Sequence, residues 1–128
     1  MTNVLIIEDE TRMREVIIML LSDMKINILE AADGAEALDI FETENIHLVI
    51  TDLKLPKVNG MEVLHHIKES KPEVPVIIIT GTIDVDTAVQ CIKSGALDYI
   101  VKPVDENRLI ASVHKALRFG MLQQENVN

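Results

Sequence analysis

The chain has 128 residues, 48% of them apolar, and 12 basic side chains against 21 acidic ones give a net charge of −9. That length suits one domain burying roughly 70% of its unfolded surface, and an acidic balance with no basic stripe argues against direct binding to nucleic acid or an anionic membrane. The single Cys91 leaves no internal disulfide, and the longest apolar run, Val16 to Leu21, falls far short of the roughly 20 residues a bilayer requires. With Glu8-Asp9-Glu10 following the start so closely and no secretory pattern, the expectation is a cytoplasmic domain.

Short runs rich in Val and Ile alternate with helical patterns. Val4 to Ile7 reads as the first strand. A helix opens at Glu10 or Thr11, with Met13, Val16, Ile17, Leu20, Leu21 and Met24 on its buried side. Ile26 to Ala31 is the second strand, followed by a helix that starts at Asp33-Gly34 and carries Ala35, Leu38 and Phe41. Ile46 to Thr51 is the third, followed beyond Asn59-Gly60 by a helix marked by Met61, Leu64 and Ile67. Val74 to Thr80 is the fourth, followed by Ala88, Cys91 and Ile92 on a helix stopped at Gly95. Leu97 to Val101 is the fifth, followed by a helix with Leu109, Val113, Ala116 and Leu117 and with Gly120 near its end. Five β-α units in one chain predict a doubly wound α/β fold, a parallel sheet with helices on both faces. The domain is expected over 1–119, with 120–128 the start of a linker or a frayed tail. With Tyr99, Phe41 and Phe119 the whole aromatic set, the core must be aliphatic.

In an open parallel sheet, ligands bind outside the carboxyl ends of the strands. The first strand runs into Glu8-Asp9-Glu10, the third into Asp52, the fourth into Thr80-Gly81-Thr82 and the fifth into Lys102-Pro103; the second ends blandly in Ala31-Ala32. Three acids, a hydroxyl and an ammonium group therefore converge on one edge. Two carboxylates about 4 Å apart repel by roughly 4 kcal/mol at an effective dielectric near 20, so such a cluster needs a compensating cation. Oxygen donors without His or Cys suit magnesium. A carboxylate already ionised at neutral pH, a divalent ion, a lysine and a hydroxyl are together what phosphoryl transfer requires.

Four stretches in order, LIIEDE, VITDLKLPKVNGMEVL, VIIITG and GALDYIVKP, resemble the receiver domain of two-component response regulators. The resemblance covers Val4 to about Leu117. It implies the five-stranded sheet order 2-1-3-4-5 of the flavodoxin-like receiver fold. It also implies that Asp52 accepts a phosphoryl group from a sensor histidine kinase, with Mg2+ held by Asp9, by Glu8 through water, by Asp52 and by the Lys54 main-chain carbonyl. Lys102 would pair with the phosphoryl oxygens, the Lys102–Pro103 peptide would be cis, and Thr80 and Tyr99 would act as the switch. The output, transcriptional by expectation, or a second receiver would dock on the fourth helix, last strand and fifth helix. Such a chain is not an enzyme on a separate substrate; it catalyses only its own phosphorylation and dephosphorylation. The stretch DTAVQCIKSGALDYIVKP is similar to regulators of the nitrogen-regulatory, sigma-54-dependent activator type.

Other readings stay open at this level. A haloacid-dehalogenase-like phosphatase also uses an aspartyl phosphate and magnesium, but wants a second acid where this chain has Lys54. A flavodoxin-like cofactor carrier would need a phosphate loop where this chain has three acids. A receiver that serves only as a protein–protein scaffold is the third. Glu10 is read as a helix N-terminal acid, Thr82 as a cap or turn hydroxyl, Lys54 and Lys57 as solvated loop lysines, His47, His65, His66 and His114 as surface or packing residues, and Cys91 as core.

Overall fold

The computed structural model describes residues 2–127, with side chains described as far as Phe119. Ten elements alternate strictly: β1 Asn3–Ile7, α1 Thr11–Leu20, β2 Asn27–Ala31, α2 Gly34–Thr43, β3 Leu48–Thr51, α3 Gly60–Ser70, β4 Val76–Thr80, α4 Val85–Lys93, β5 Asp98–Val101 and α5 Glu106–Val127. The strands form one parallel sheet in the order β2-β1-β3-β4-β5, as expected.

The central strands are buried along their whole length because helices cover both faces. Alternate residues of each strand feed two cores. Leu5, Ile7, Val49, Val76 and Ile78 meet Phe41, Leu64, Ile67 and Cys91 of α2, α3 and α4. Val4, Ile6, Leu48, Ile50, Ile77 and Ile79 meet Ile17, Leu109, Val113 and Ala116 of α1 and α5. The edge strands differ from the expected two-faced burial: Asn27 and Glu30 of β2 and Val101 of β5 reach solvent, since each has a neighbour on one side only.

Helix starts follow side-chain chemistry. Asp33, Asn59 and Asp84 accept hydrogen bonds from the N–H groups of Glu36, Glu62 and Asp86, so they cap α2, α3 and α4. Glu10 occupies the N-cap of α1 but makes no side-chain cap bond. Two expected helix faces are corrected. Val16 is 39% exposed and Ile92 48%, because α1 and α4 each lie against one face of the sheet and neither is sandwiched. The backbone of α5 continues to Val127, beyond residue 119, where the domain was expected to end; the side chains of 120–127, and residue 128, lie outside the described residues. No helix among the described residues is long and apolar enough to cross a membrane.

Candidate functional site

Parallel register assembles the site. Ile7 pairs with Thr51, so the next residue along each strand, Glu8 and Asp52, leaves the sheet beside the other. The Asp52 N–H donates to the Ile7 carbonyl at 3.1 Å, and the Glu8 N–H to the Ala31 carbonyl at 3.1 Å, which carries the strand ends one residue beyond their ladders. On the other flank Thr80 pairs with Val101, and the Lys102 N–H donates to the Thr80 carbonyl at 2.8 Å.

Lys102 Nζ bridges the two acids, donating to Glu8 Oε1 at 2.6 Å and to Asp52 Oδ2 at 2.7 Å. Both acids are buried, Glu8 at 2% exposure and Asp52 at 7%. Each spare oxygen is also engaged: Glu8 Oε2 accepts the Glu10 N–H, and Asp52 Oδ1 accepts the Lys54 N–H. Burial raises the Glu8 pKa despite Lys102 beside it. Burial alone would lower Lys102, but its bonds to Asp52 and Glu8 outweigh that and raise it. Lys102 therefore holds its proton firmly between the two acids.

Asp9 is exposed at the mouth, and carboxylate oxygens of Glu8, Asp9 and Asp52 lie within 4.8 Å of one another. Three acids against one lysine leave a local excess of two negative charges, and every side-chain donor is a hard oxygen. The set fits one magnesium ion. Beside Asp9 opens a cleft of about 580 Å³, lined by the loop residues Leu53, Lys54, Leu55 and Asn59 and by Thr87 of α4.

The expected switch residues flank the group. Thr80 is buried at 1% exposure, and its hydroxyl accepts the Thr82 N–H at 3.4 Å. Tyr99 is half-buried, and its hydroxyl donates to the Thr82 carbonyl at 2.7 Å. The Lys102–Pro103 peptide is cis. Lys54 and Lys57 are exposed, and Lys57 pairs with Asp33 at 3.5 Å from a backbone with φ of 68°. The histidines lie away from the acids: His47 accepts the Asn3 N–H, His65 meets Ser94, His66 meets Glu42, and His114 is exposed.

Three supports were not singled out from the sequence. Gly60 begins α3 against the back of the site, where a Cβ would collide with the Asp52 main-chain carbonyl. Arg14 of α1 donates to the Glu8 main-chain carbonyl at 2.7 Å. Asp98, just before Tyr99, is held by a bidentate Arg108 at 2.7 and 2.8 Å, by the Ser112 hydroxyl at 2.8 Å and by the Tyr99 N–H at 2.8 Å. Only Asn59-Gly60 left a sequence signal, as a helix start.

Residues 4–114 match the family model of the response regulator receiver domain. Among relatives, the response regulator protein PilR of Pseudomonas aeruginosa is 38% identical over 114 residues, 89% of this chain and 26% of PilR. The transcriptional regulatory protein ZraR of Escherichia coli is 34% identical over 115 residues, 90% of this chain and 26% of ZraR. The chain thus spans about a quarter of the length of either relative. The crystal structure of a receiver domain protein from Clostridium thermocellum superposes with a TM-score of 0.88 at 37% identity, covering 96% of this chain and 99% of that one. NtrX from Brucella abortus gives 0.90 at 33% identity, covering 99% of this chain and 30% of NtrX, in line with the nitrogen-regulatory resemblance of the sequence.

Proposed function

Because this chain belongs to the response regulator receiver domain family of two-component systems, we propose that it is a phosphorylation switch with Asp52 as the phosphoacceptor. An Asp52 carboxylate oxygen attacks the phosphorus of a sensor kinase's phosphohistidine. The new P–O bond forms as the P–N bond breaks, and the imidazole leaves with the bonding pair and takes up a proton. The observation that carries this reading is the Lys102 ammonium held between Glu8 and Asp52 at 2.6 and 2.7 Å, with the Asp9 carboxylate adjoining.

Asp9, Asp52, Glu8 through water and the Lys54 main-chain carbonyl would hold Mg2+, which supplies positive charge for the phosphoryl oxygens. Lys102, once Asp52 carries the phosphoryl group as a mixed anhydride, exchanges its carboxylate contact for a phosphoryl oxygen and keeps its tie to Glu8. Thr80, whose hydroxyl accepts the weakly placed Thr82 N–H at 3.4 Å, turns to the phosphoryl group. That movement draws on the same segment whose Thr82 carbonyl holds the Tyr99 hydroxyl, so it biases Tyr99 between outward and inward positions.

The output partner docks on α4, β5 and α5. Ile83 just before α4, Val85, Val89 and Ile92 on it, and Val101 on β5 are large apolar side chains exposed there. The occupant is an output domain, transcriptional in the relatives' manner, or a second receiver, which makes the chain a signalling domain in the cytoplasm.

Intact mass after incubation with Mg2+ and a small phosphodonor tests the chemistry. The wild type gains one phosphoryl group, and Asp52→Asn, or the wild type without magnesium, gains none. Gain by Asp52→Asn equal to that of the wild type would overturn the assignment.

A further inference from the structure

Two of the three acids sit on neighbouring residues of a loop that has left the sheet, so their positions depend on how the Glu8–Asp9 peptide is oriented. The Glu8 N–H is tied to Ala31, and the Glu10 N–H to the Glu8 carboxylate, at 3.1 and 3.2 Å. Neither bond engages the carbonyl of the Glu8–Asp9 peptide itself. Its carbonyl is instead taken by Arg14 Nη1 at 2.7 Å. The same guanidinium turns its Nε to Glu30 Oε1 on β2 at 2.9 Å, and its side chain is only 16% exposed. Arg14 therefore links α1, the edge strand β2 and the acid loop through a planar group with two donors in fixed relation.

We infer that Arg14 is a positioning residue for the metal-binding acids: by clamping the Glu8–Asp9 peptide against Glu30 it presets the Glu8 and Asp9 carboxylates for a divalent cation. The inference rests on the magnesium reading of the acid cluster. A merely electrostatic role has the opposite sign. A guanidinium near three acids competes with a cation, so as a charge alone its loss strengthens metal binding; as a clamp, its loss weakens it. Outer partners that orient metal ligands typically contribute 10–100-fold in affinity, and one carbonyl contact belongs at the lower end.

The test is calorimetric titration of the whole chain with MgCl2 for wild type, Arg14→Lys and Arg14→Ala, with amide exchange of Glu10 measured in parallel without metal. Both variants bind Mg2+ about tenfold more weakly, Arg14→Lys included, because a lysine keeps the charge and loses the two-donor geometry. Glu10, whose N–H bond needs the peptide correctly turned, exchanges faster in both. Glu30→Gln, which keeps Arg14 and leaves the site untouched, shows a smaller loss in the same direction and serves if the Arg14 variants fail to fold. Unchanged or tighter binding in the variants, with wild-type exchange at Glu10, overturns the clamp while leaving the magnesium reading intact. Absence of Mg2+ binding by the wild type overturns both.

Discussion

Replacing Asp98 with Asn keeps the shape of the side chain and removes its charge, which makes it a clean probe of how β5 is fixed to α5. Burial alone would raise the Asp98 pKa, yet its bonds from Arg108, Ser112 and the Tyr99 N–H bring it down from the ordinary 3.8 to about 2. At about 1.4 kcal/mol for each tenfold change in proton affinity, that difference corresponds to about 2.5 kcal/mol. Arg108 is 47% exposed, so solvent screens part of its attraction, and about 1–2 kcal/mol is the expected loss at pH 7. The pKa is depressed in the folded state. Its contribution is therefore complete above the unfolded value near 3.8, and fades as the pH falls toward about 2. With no tryptophan in the chain, urea unfolding is monitored by far-ultraviolet circular dichroism. The Asp98→Asn midpoint should fall by about 0.3–2 M urea at pH 7, given typical slopes of 1–3 kcal/mol per molar. The gap from wild type should narrow steadily below pH 4. Equal stabilities at pH 7, or a gap that persists unchanged at pH 2.5, would refute the reasoning.

Two further expectations concern the site itself. Gly60→Ala sets a methyl against the Asp52 main-chain carbonyl, and the resulting shift should cost about 1–3 kcal/mol in thermal unfolding and slow phosphorylation. Lys102→Met frees both carboxylates from their shared ammonium. Calorimetry should show Mg2+ binding at least as tight as in the wild type, while the rate of phosphoryl gain falls roughly 100-fold, as when one preorganised donor is removed.

Strand ends were the most legible feature of the sequence. In an all-parallel sheet every carboxyl end lies on one edge, so the residues just past each apolar run are enough to bring Glu8, Asp9, Asp52, Thr80 and Lys102 into one neighbourhood. The sequence is less informative about which side of an apolar helix faces inward. Val16 and Met19 sit in an unbroken apolar run, and periodicity cannot tell that α1 is covered on one face only. Arg14 left no signal because its partner at the site is a main-chain carbonyl, which every residue type possesses, and its other partner, Glu30, lies sixteen residues away on β2. Asp98 and Arg108 are ten residues apart across the turn from β5 to α5, a separation that belongs to neither helix nor strand spacing. Gly60 could be read as a helix start, but not as the residue that lets α3 close on Asp52, since that contact exists only once β3 and α3 are packed.

Treatment of the phosphorylated protein with borohydride reduces an aspartyl phosphate to homoserine and so marks the acceptor permanently. Peptide mass analysis should then find homoserine at residue 52 in place of Asp52, dependent on Mg2+ during phosphorylation. Homoserine at position 9, or a phosphoryl group that survives borohydride on a side chain elsewhere, would contradict the account.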